Sequence, residues 1–206
     1  MKRTLLFSLL FAVFVTQVSA NPINRKNASK HAQAASHAAK SGDWDVARRH
    51  WAKAVKNGEL GGIPDKHQAI FYYEYARAAG ITCFFDIAET YLIKAYELDK
   101  KIGGPTFLSL VELFRLNLDQ NKYNEAVTYF KKALPVLEKI NASSQSPAEF
   151  SKLLDEYAVA LEGIGKQEDA KKVKERSVEV KKNAEHSITD RTSYGTSCTK
   201  SEGSSV

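Results

Sequence analysis

The sequence predicts an all-α fold of about four antiparallel helix hairpins that pack side by side. Apolar residues recur with a helical period along the middle of the chain, and Pro and Gly fall mostly between the periodic segments. No useful length alternates with the period of two that β-strands require. A turn followed by a small residue also occurs four times, with the small residue at Ala47, Ala88, Ala126 and Ala170.

The first 20 residues have the composition of a signal peptide. Lys2 and Arg3 precede an apolar run at 5–15, and small residues at 18–20 end the segment. The run is shorter than the roughly 20 residues that span a bilayer. We therefore expect cleavage after Ala20 and an exported mature chain without an integral membrane segment. The periplasm is the expected compartment and the extracellular space is the alternative, and an uncleaved signal anchor is the other possible fate of residues 1–20.

The helical domain is predicted at 21–185, and the second helix of each hairpin is expected to begin near the small residue that follows the turn. A large side chain follows each small residue by four positions in the first three hairpins, at Trp51, Leu92 and Phe130. Gly or Asn in the hairpin turn supplies a left-handed helix end, but Cys83 stands where a turn Gly is usual. The fourth hairpin has Lys174 at the large position, as expected of a terminal helix that no further hairpin covers.

This repeated pattern resembles the tetratricopeptide-repeat (TPR) family over about 27–182. The Ala spacings of 41, 38 and 44 residues are longer than the standard repeat of about 34. The passages AETYLIKAYELDKKI at 88–102 and AVTYFKKALPVLEKI at 126–140 look like the kinesin-light-chain subtype. The resemblance implies an α-solenoid that forms a right-handed superhelical arc and binds a protein or peptide partner on its concave face.

Projected onto this sequence, the resemblance gives eight candidate binding residues on the first helix of each hairpin. We expect Tyr73, Leu108 and Val111 to make apolar contacts with the partner. Arg77 and Arg115 could lie side by side and bind a carboxylate or backbone carbonyls of the partner. The alternative for the two arginines is solvation or a local salt bridge. The candidates are Tyr73, Arg77, Leu108, Val111, Arg115, Asp119, Asp155 and Glu162.

The C-terminal tail at 186–206 is rich in Ser, Thr and Gly, and we expect it to be disordered because it offers little apolar surface to bury. Cys83 and Cys198 are the two cysteines of the chain. In an oxidising compartment they form a disulfide or remain as two free thiols, and the sequence leaves both states open.

Catalytic and metal-binding patterns are missing from the sequence, which predicts no metal site and no cofactor. The net charge of +6 is uneven, because residues 21–58 carry +6 and residues 59–170 carry −5. An acidic centre argues against nucleic acid as a partner. The sequence therefore predicts an exported, non-catalytic adaptor or assembly factor. The alternatives are a carrier of a small apolar or aromatic ligand in the Phe/Tyr-rich second hairpin and, less favoured, an enzyme. The partner's identity and the oligomeric state stay open.

Overall fold

The structure is a computed structural model that describes residues 21–184 and 191–198. The predicted signal peptide at 1–20 lies outside the described residues. Every regular element in the described part of the chain is a helix. The helices are α1 (Pro22–Lys40), α2 (Trp44–Gly61), α3 (Asp65–Ile81), α4 (Phe85–Ile102), α5 (Thr106–Asp119), α6 (Tyr123–Lys139), α7 (Ala142–Gln145), α8 (Pro147–Gly163) and α9 (Gln167–Lys181).

The helices pair as four hairpins, α1 with α2, α3 with α4, α5 with α6, and α8 with α9, and the hairpins stack in chain order into an α-solenoid. The prediction of an all-α solenoid is confirmed. Short α7 fills the connection between the third and fourth hairpins. Within the described ranges, no helix is apolar over a length that would cross a membrane.

Each hairpin turn contains one residue with positive φ, at the same place five residues before the small residue of the second helix. The φ values are 80° at Gly42, 69° at Cys83, 58° at Asn121 and 78° at Gly165. The next backbone N–H bonds back to the first helix, as in Lys122 N to Asn117 O at 2.9 Å. The turn backbone is therefore shared by all four hairpins, and Cys83 adopts the left-handed conformation that its position requires.

Small residues allow the two helices of each hairpin to approach closely, and larger side chains fill the spaces between hairpins. Ala47, Ala88 and Ala126 are fully buried. Phe130 is also fully buried and stacks on Tyr157 of α8, with ring centroids 4.0 Å apart. The predicted core pattern therefore matches the packing, and the aromatic contact joins the third hairpin to the fourth.

The C-terminal tail differs from its prediction of disorder at residues 191–198, which lie against the solenoid and are called the docked segment below. The side chain of Tyr194 is only 6% exposed, and a disulfide joins Cys198 to Cys83. Gly195 N and Ser197 N donate hydrogen bonds of 3.0 Å to Gly80 O and Ile81 O at the end of α3. The overall composition of the tail conceals this short segment, because only one aromatic residue, one arginine and one cysteine make its specific contacts.

Candidate functional site

An open cavity of ≈ 780 Å³ lies along the first helices of the third and fourth hairpins. Four of the predicted residues line it, namely Tyr73, Leu108, Val111 and Arg115. Phe150 of α8 adds to its apolar wall, and the ends of α6 and α7 close one side. We call this space the groove cavity. It combines an apolar interior with a charged rim, a composition typical of binding sites.

Three carboxylates form a row beside the groove cavity, and we call Glu112, Asp119 and Glu156 the acidic strip. Arg77 and Arg115 lie on either side of Glu112, with Arg77 Nε 3.5 Å from Glu112 Oε2 and Arg115 Nη1 3.4 Å from Glu112 Oε1. Arg115 Nε also donates a hydrogen bond of 2.7 Å to Glu156 Oε2.

This pairing corrects the expectation that Arg77 and Arg115 receive a carboxylate from a partner. Each of the two arginines forms an ion pair with Glu112, so their charges are already balanced by the acidic strip. The local salt bridge that was the alternative is the arrangement in the structure. Burial opposes the charge of Arg77, but Glu112 and the other acidic and phenolic groups nearby together outweigh burial and raise the pKa of Arg77 above its ordinary value. These side chains therefore organise the strip instead of offering free positive charge.

The docked segment supplies the third arginine of this network. Arg191 donates two parallel hydrogen bonds to Asp119, Nη1 to Oδ2 at 2.8 Å and Nη2 to Oδ1 at 2.7 Å. Its Nε lies 3.4 Å from Glu156 Oε1. Tyr194 N donates to Asp119 Oδ2 at 2.8 Å, and the Tyr194 hydroxyl donates to buried Glu112 Oε2 at 2.6 Å. Each carboxylate of the strip thus accepts at least one hydrogen bond from the segment.

The ionisation states of these groups favour the same contacts. Burial and the neighbouring Glu112 raise the pKa of Tyr194 well above its ordinary value, so its hydroxyl remains a donor. Burial works against the charge of Arg191, but its hydrogen bonds to Asp119 and the charges of Asp119 and Glu156 raise its pKa. Burial followed by the charge of Glu112 also raises the pKa of Tyr73. Tyr73, Tyr194 and Arg191 therefore stay protonated in the neutral range.

The Tyr194 ring lies in a slot that exists because residue 80 is glycine. A Cβ at Gly80 would be 2.3 Å from Tyr194 Cδ1 and 2.6 Å from Tyr194 Cε1, which are distances that atoms in contact do not adopt. The ring packs among buried side chains of the second and third hairpins, including Ala76, Ile81 and Leu116. We call this space the Gly80 slot.

The predicted residues of the fourth hairpin lie elsewhere. Asp155 is exposed, and Glu162 accepts a hydrogen bond of 2.6 Å from Lys174 of α9. Neither lines the groove cavity, whereas Glu156 contributes to the acidic strip. The α8 residues that line the cavity lie nearer the start of the helix, between Glu149 and Leu153. Asp119 does not line the groove cavity either, and its carboxylate accepts two hydrogen bonds from Arg191.

Sequence reasoning missed four residues that build this site, Glu112, Glu156, Arg191 and Tyr194. A partial signal existed for one of them, because Tyr194 is the one aromatic residue of the tail and stands four residues before Cys198. Glu112 and Glu156 carried no signal, since a lone Glu on an amphipathic helix is usually solvated.

Several aromatic residues of the second hairpin pack against one another. Tyr91 packs against Tyr72 and Tyr75, with centroid distances of 5.5 and 4.7 Å. A second open cavity of ≈ 610 Å³ lies near α1 and includes Phe71. No group of three or more potential metal ligands occurs within 21–184 and 191–198.

Comparison with known proteins adds information on the fold. No protein-family model matches the chain, and no curated protein matches it. The solved structure of BtubC (BKLC) from P. vanneervenii is similar, with a TM-score of 0.71 at 18% sequence identity, covering 80% of this chain and 67% of that one. The MamA protein aligns with 80% of this chain and 99% of its own, at 16% identity and a TM-score of 0.46. The likeness to BtubC supports a TPR-like solenoid fold.

Proposed function

We propose that this protein is an exported, non-catalytic protein-binding module whose groove cavity holds a segment of a partner. The observation that carries the proposal is the groove cavity itself. It is an open space of ≈ 780 Å³ with an apolar wall and a charged rim, along the first helices of the third and fourth hairpins. Leu108 is 39% exposed at this wall, which leaves an apolar side chain available for a partner.

Export is supported by two features. The N-terminal composition is that of a signal peptide, and the Cys83–Cys198 disulfide is a bond that persists in oxidising compartments. The periplasm is the first choice, with the extracellular space as the alternative. The same proposal includes the adaptor or assembly role, the kinesin-light-chain-like subtype and the absence of catalysis.

Site-specific crosslinking from position 108 tests the proposal. A photoreactive residue in place of Leu108 in the mature protein should crosslink to a partner in the native compartment, and mass spectrometry then identifies that partner. Leu108→Glu should abolish co-purification of the same partner because it places a charge on the apolar wall. Arg77 and Arg115 are poorer choices for mutation, since their loss would unbalance the acidic strip.

Val178→Glu is the matched control. Val178 is 61% exposed on terminal helix α9 and does not line the groove cavity, so this substitution adds the same charge elsewhere. Partner binding should survive it. Equal loss with both substitutions, or equal retention with both, contradicts the assignment of binding to the groove cavity.

A small-ligand carrier is the second candidate function. The groove cavity has a volume within the range of about 300–1,000 Å³ that is usual for small-molecule sites, and Tyr73, Phe107 and Phe150 line it. Native mass spectrometry of the freshly purified mature protein tests this function. A bound small molecule that Leu108→Glu removes favours the carrier, and an empty protein favours the protein-binding module.

A further inference from the structure

We propose that the acidic strip and the Gly80 slot together form a recognition site for a peptide segment of the pattern Arg-x-x-Tyr-Gly, and that the docked segment occupies this site in cis. A partner with the same pattern must displace the docked segment to bind. The inference rests on the proposed function, because it names the chemistry of a partner at the same face of the solenoid.

The arginine of the pattern is recognised by geometry as well as by charge. Arg191 makes a two-bond fork with Asp119, at 2.8 and 2.7 Å, and its Nε lies near Glu156. A lysine offers a single point of charge and cannot form the fork. The site therefore selects arginine at the first position of the segment.

The tyrosine is recognised at both ends of its side chain. The ring fills the Gly80 slot, where any side chain at residue 80 would collide with it. The hydroxyl donates to Glu112, a buried carboxylate whose remaining neighbours include Arg77 and Arg115. Phenylalanine would fill the slot but would leave the Glu112 oxygen without this donor, which is costly for a buried charge.

Glycine follows the tyrosine because the backbone reverses there. Gly195 has a φ of 78°, which other residues adopt only with strain. The reversal directs Gly195 N and Ser197 N to the carbonyl oxygens of Gly80 and Ile81 at the end of α3, where helix carbonyls lack helical partners. These two bonds hold the backbone of any segment that takes this path.

Charge complementarity identifies the occupant as cationic. The acidic strip has three carboxylates, and the two solenoid arginines that pair with it leave one negative charge in excess. Arg191 supplies the balancing charge, and its own pairs with Asp119 and Glu156 are mostly buried. An empty site would leave Asp119 without this counter-ion, so the strip favours being filled by an arginine-containing segment.

The covalent tether makes the docked segment a strong competitor. Cys198 is fixed to Cys83 at one end of the segment, and the chain from α9 holds the other end. A segment held in this way has an effective concentration of roughly millimolar or above, so a free peptide competes poorly with it. The disulfide-bonded chain should therefore bind partners with this pattern weakly.

The experiment uses the full mature chain and a fluorescein-labelled synthetic peptide, DRTSYGTS, with the sequence of residues 190–197. The emptied chain carries Arg191→Ala and Tyr194→Ala in addition to Cys83→Ser and Cys198→Ser. Fluorescence anisotropy should show at least tenfold tighter binding of the peptide to the emptied chain than to the disulfide-bonded chain. Peptides in which Ala replaces the arginine or the tyrosine should bind the emptied chain at least tenfold more weakly.

Two variants of the emptied chain locate the binding. Asp119→Asn is isosteric and should weaken the peptide at least tenfold by removing the charge of the fork. Gly80→Ala should do the same by filling the slot, and Val178→Ala on α9 should leave binding unchanged. Circular dichroism verifies that each variant retains its helix content, and Asp119→Asn keeps the test decisive if Gly80→Ala unfolds.

The proposal is overturned if the folded emptied chain binds the peptide no better than the disulfide-bonded chain does. It is also overturned if the emptied chain binds the Ala-substituted peptides as tightly as the unsubstituted peptide. A concentration-dependent dimer of the emptied chain that the peptide does not dissociate also overturns it, because the site would then serve a second copy. Failure here is distinct from failure of the proposed function. A partner that crosslinks from position 108 and is lost with Leu108→Glu would still establish the module.

Discussion

Removing the disulfide should destabilise the whole helical domain, because the bond closes a loop that runs from the turn of the second hairpin through the third and fourth hairpins. Cys83 and Cys198 are 115 residues apart in sequence. The chain-entropy treatment gives roughly 5 kcal/mol for a loop of this length, and native disulfides typically contribute about 2–5 kcal/mol when removed. We therefore expect Cys83→Ser/Cys198→Ser to lower the free energy of unfolding of the mature protein by about 2–5 kcal/mol.

Urea unfolding followed by far-UV circular dichroism measures this change. With a urea dependence of about 1–3 kcal/mol/M, the midpoint should fall by at least about 0.7 M, and the slope should rise because the unfolded chain is no longer cross-linked. A thiol reductant should shift the wild-type curve in the same direction and leave the doubly substituted protein unchanged. Coincident curves for the oxidised wild type and the variant would refute the reasoning, since they would mean that the bond constrains neither state.

Two further substitutions test other parts of the structure. Asp119→Asn should reduce the hydrogen-exchange protection of the docked backbone by about tenfold to a hundredfold. The reason is that hydrogen bonds to charged groups contribute about 1.5–3 kcal/mol, and Arg191 would lose its charged partner. Exchange rates measured by NMR test this, and unchanged protection would contradict the role of the Arg191–Asp119 pair. At the other end of the solenoid, His31 Nδ1 lies 3.1 Å from His50 Nδ1, and burial, then His50 and nearby Lys53, lower the pKa of His31. A folded-state pKa below the unfolded value of about 6.5 gives stability that is present above that pH and is lost as the pH falls. His31→Gln should make the melting temperature less sensitive to acid than in the wild type, and an identical pH dependence would argue against this coupling.

The hairpin architecture was predictable because it depends on local chemistry. A residue able to take positive φ, followed five positions later by a small residue, marks each turn and the helix after it. These features act within one hairpin, so the sequence alone carries them. Even the departure at Cys83 fits, because its φ of 69° lies between the values of Gly42 and Asn121 in the same turn position.

The candidate site was less predictable because its parts are distant in sequence. Arg191 reaches Asp119 across 72 positions and Tyr194 reaches Glu112 across 82 positions. The sequence marks Tyr194 as the one aromatic residue of the tail, but it does not indicate that the ring packs against Gly80. Arg77 and Arg115 both pair with Glu112, and the spacing of the two arginines along the sequence does not reveal this shared partner. The projection onto α8 missed Glu156 by one residue, and one residue on a helix changes the direction of a side chain by about 100°.

The turn position of Cys83 has a further consequence for how a solenoid of this kind can vary. The four positive-φ residues form a row along one edge of the stack, and none of them belongs to a helix. A cysteine at such a place attaches another segment covalently without altering helix packing. Moving the cysteine to the next turn, at Asn121, would carry the attachment point one hairpin further along. In a repeat protein, a single substitution at one turn can thus move the position of a covalent attachment while the helical scaffold stays the same.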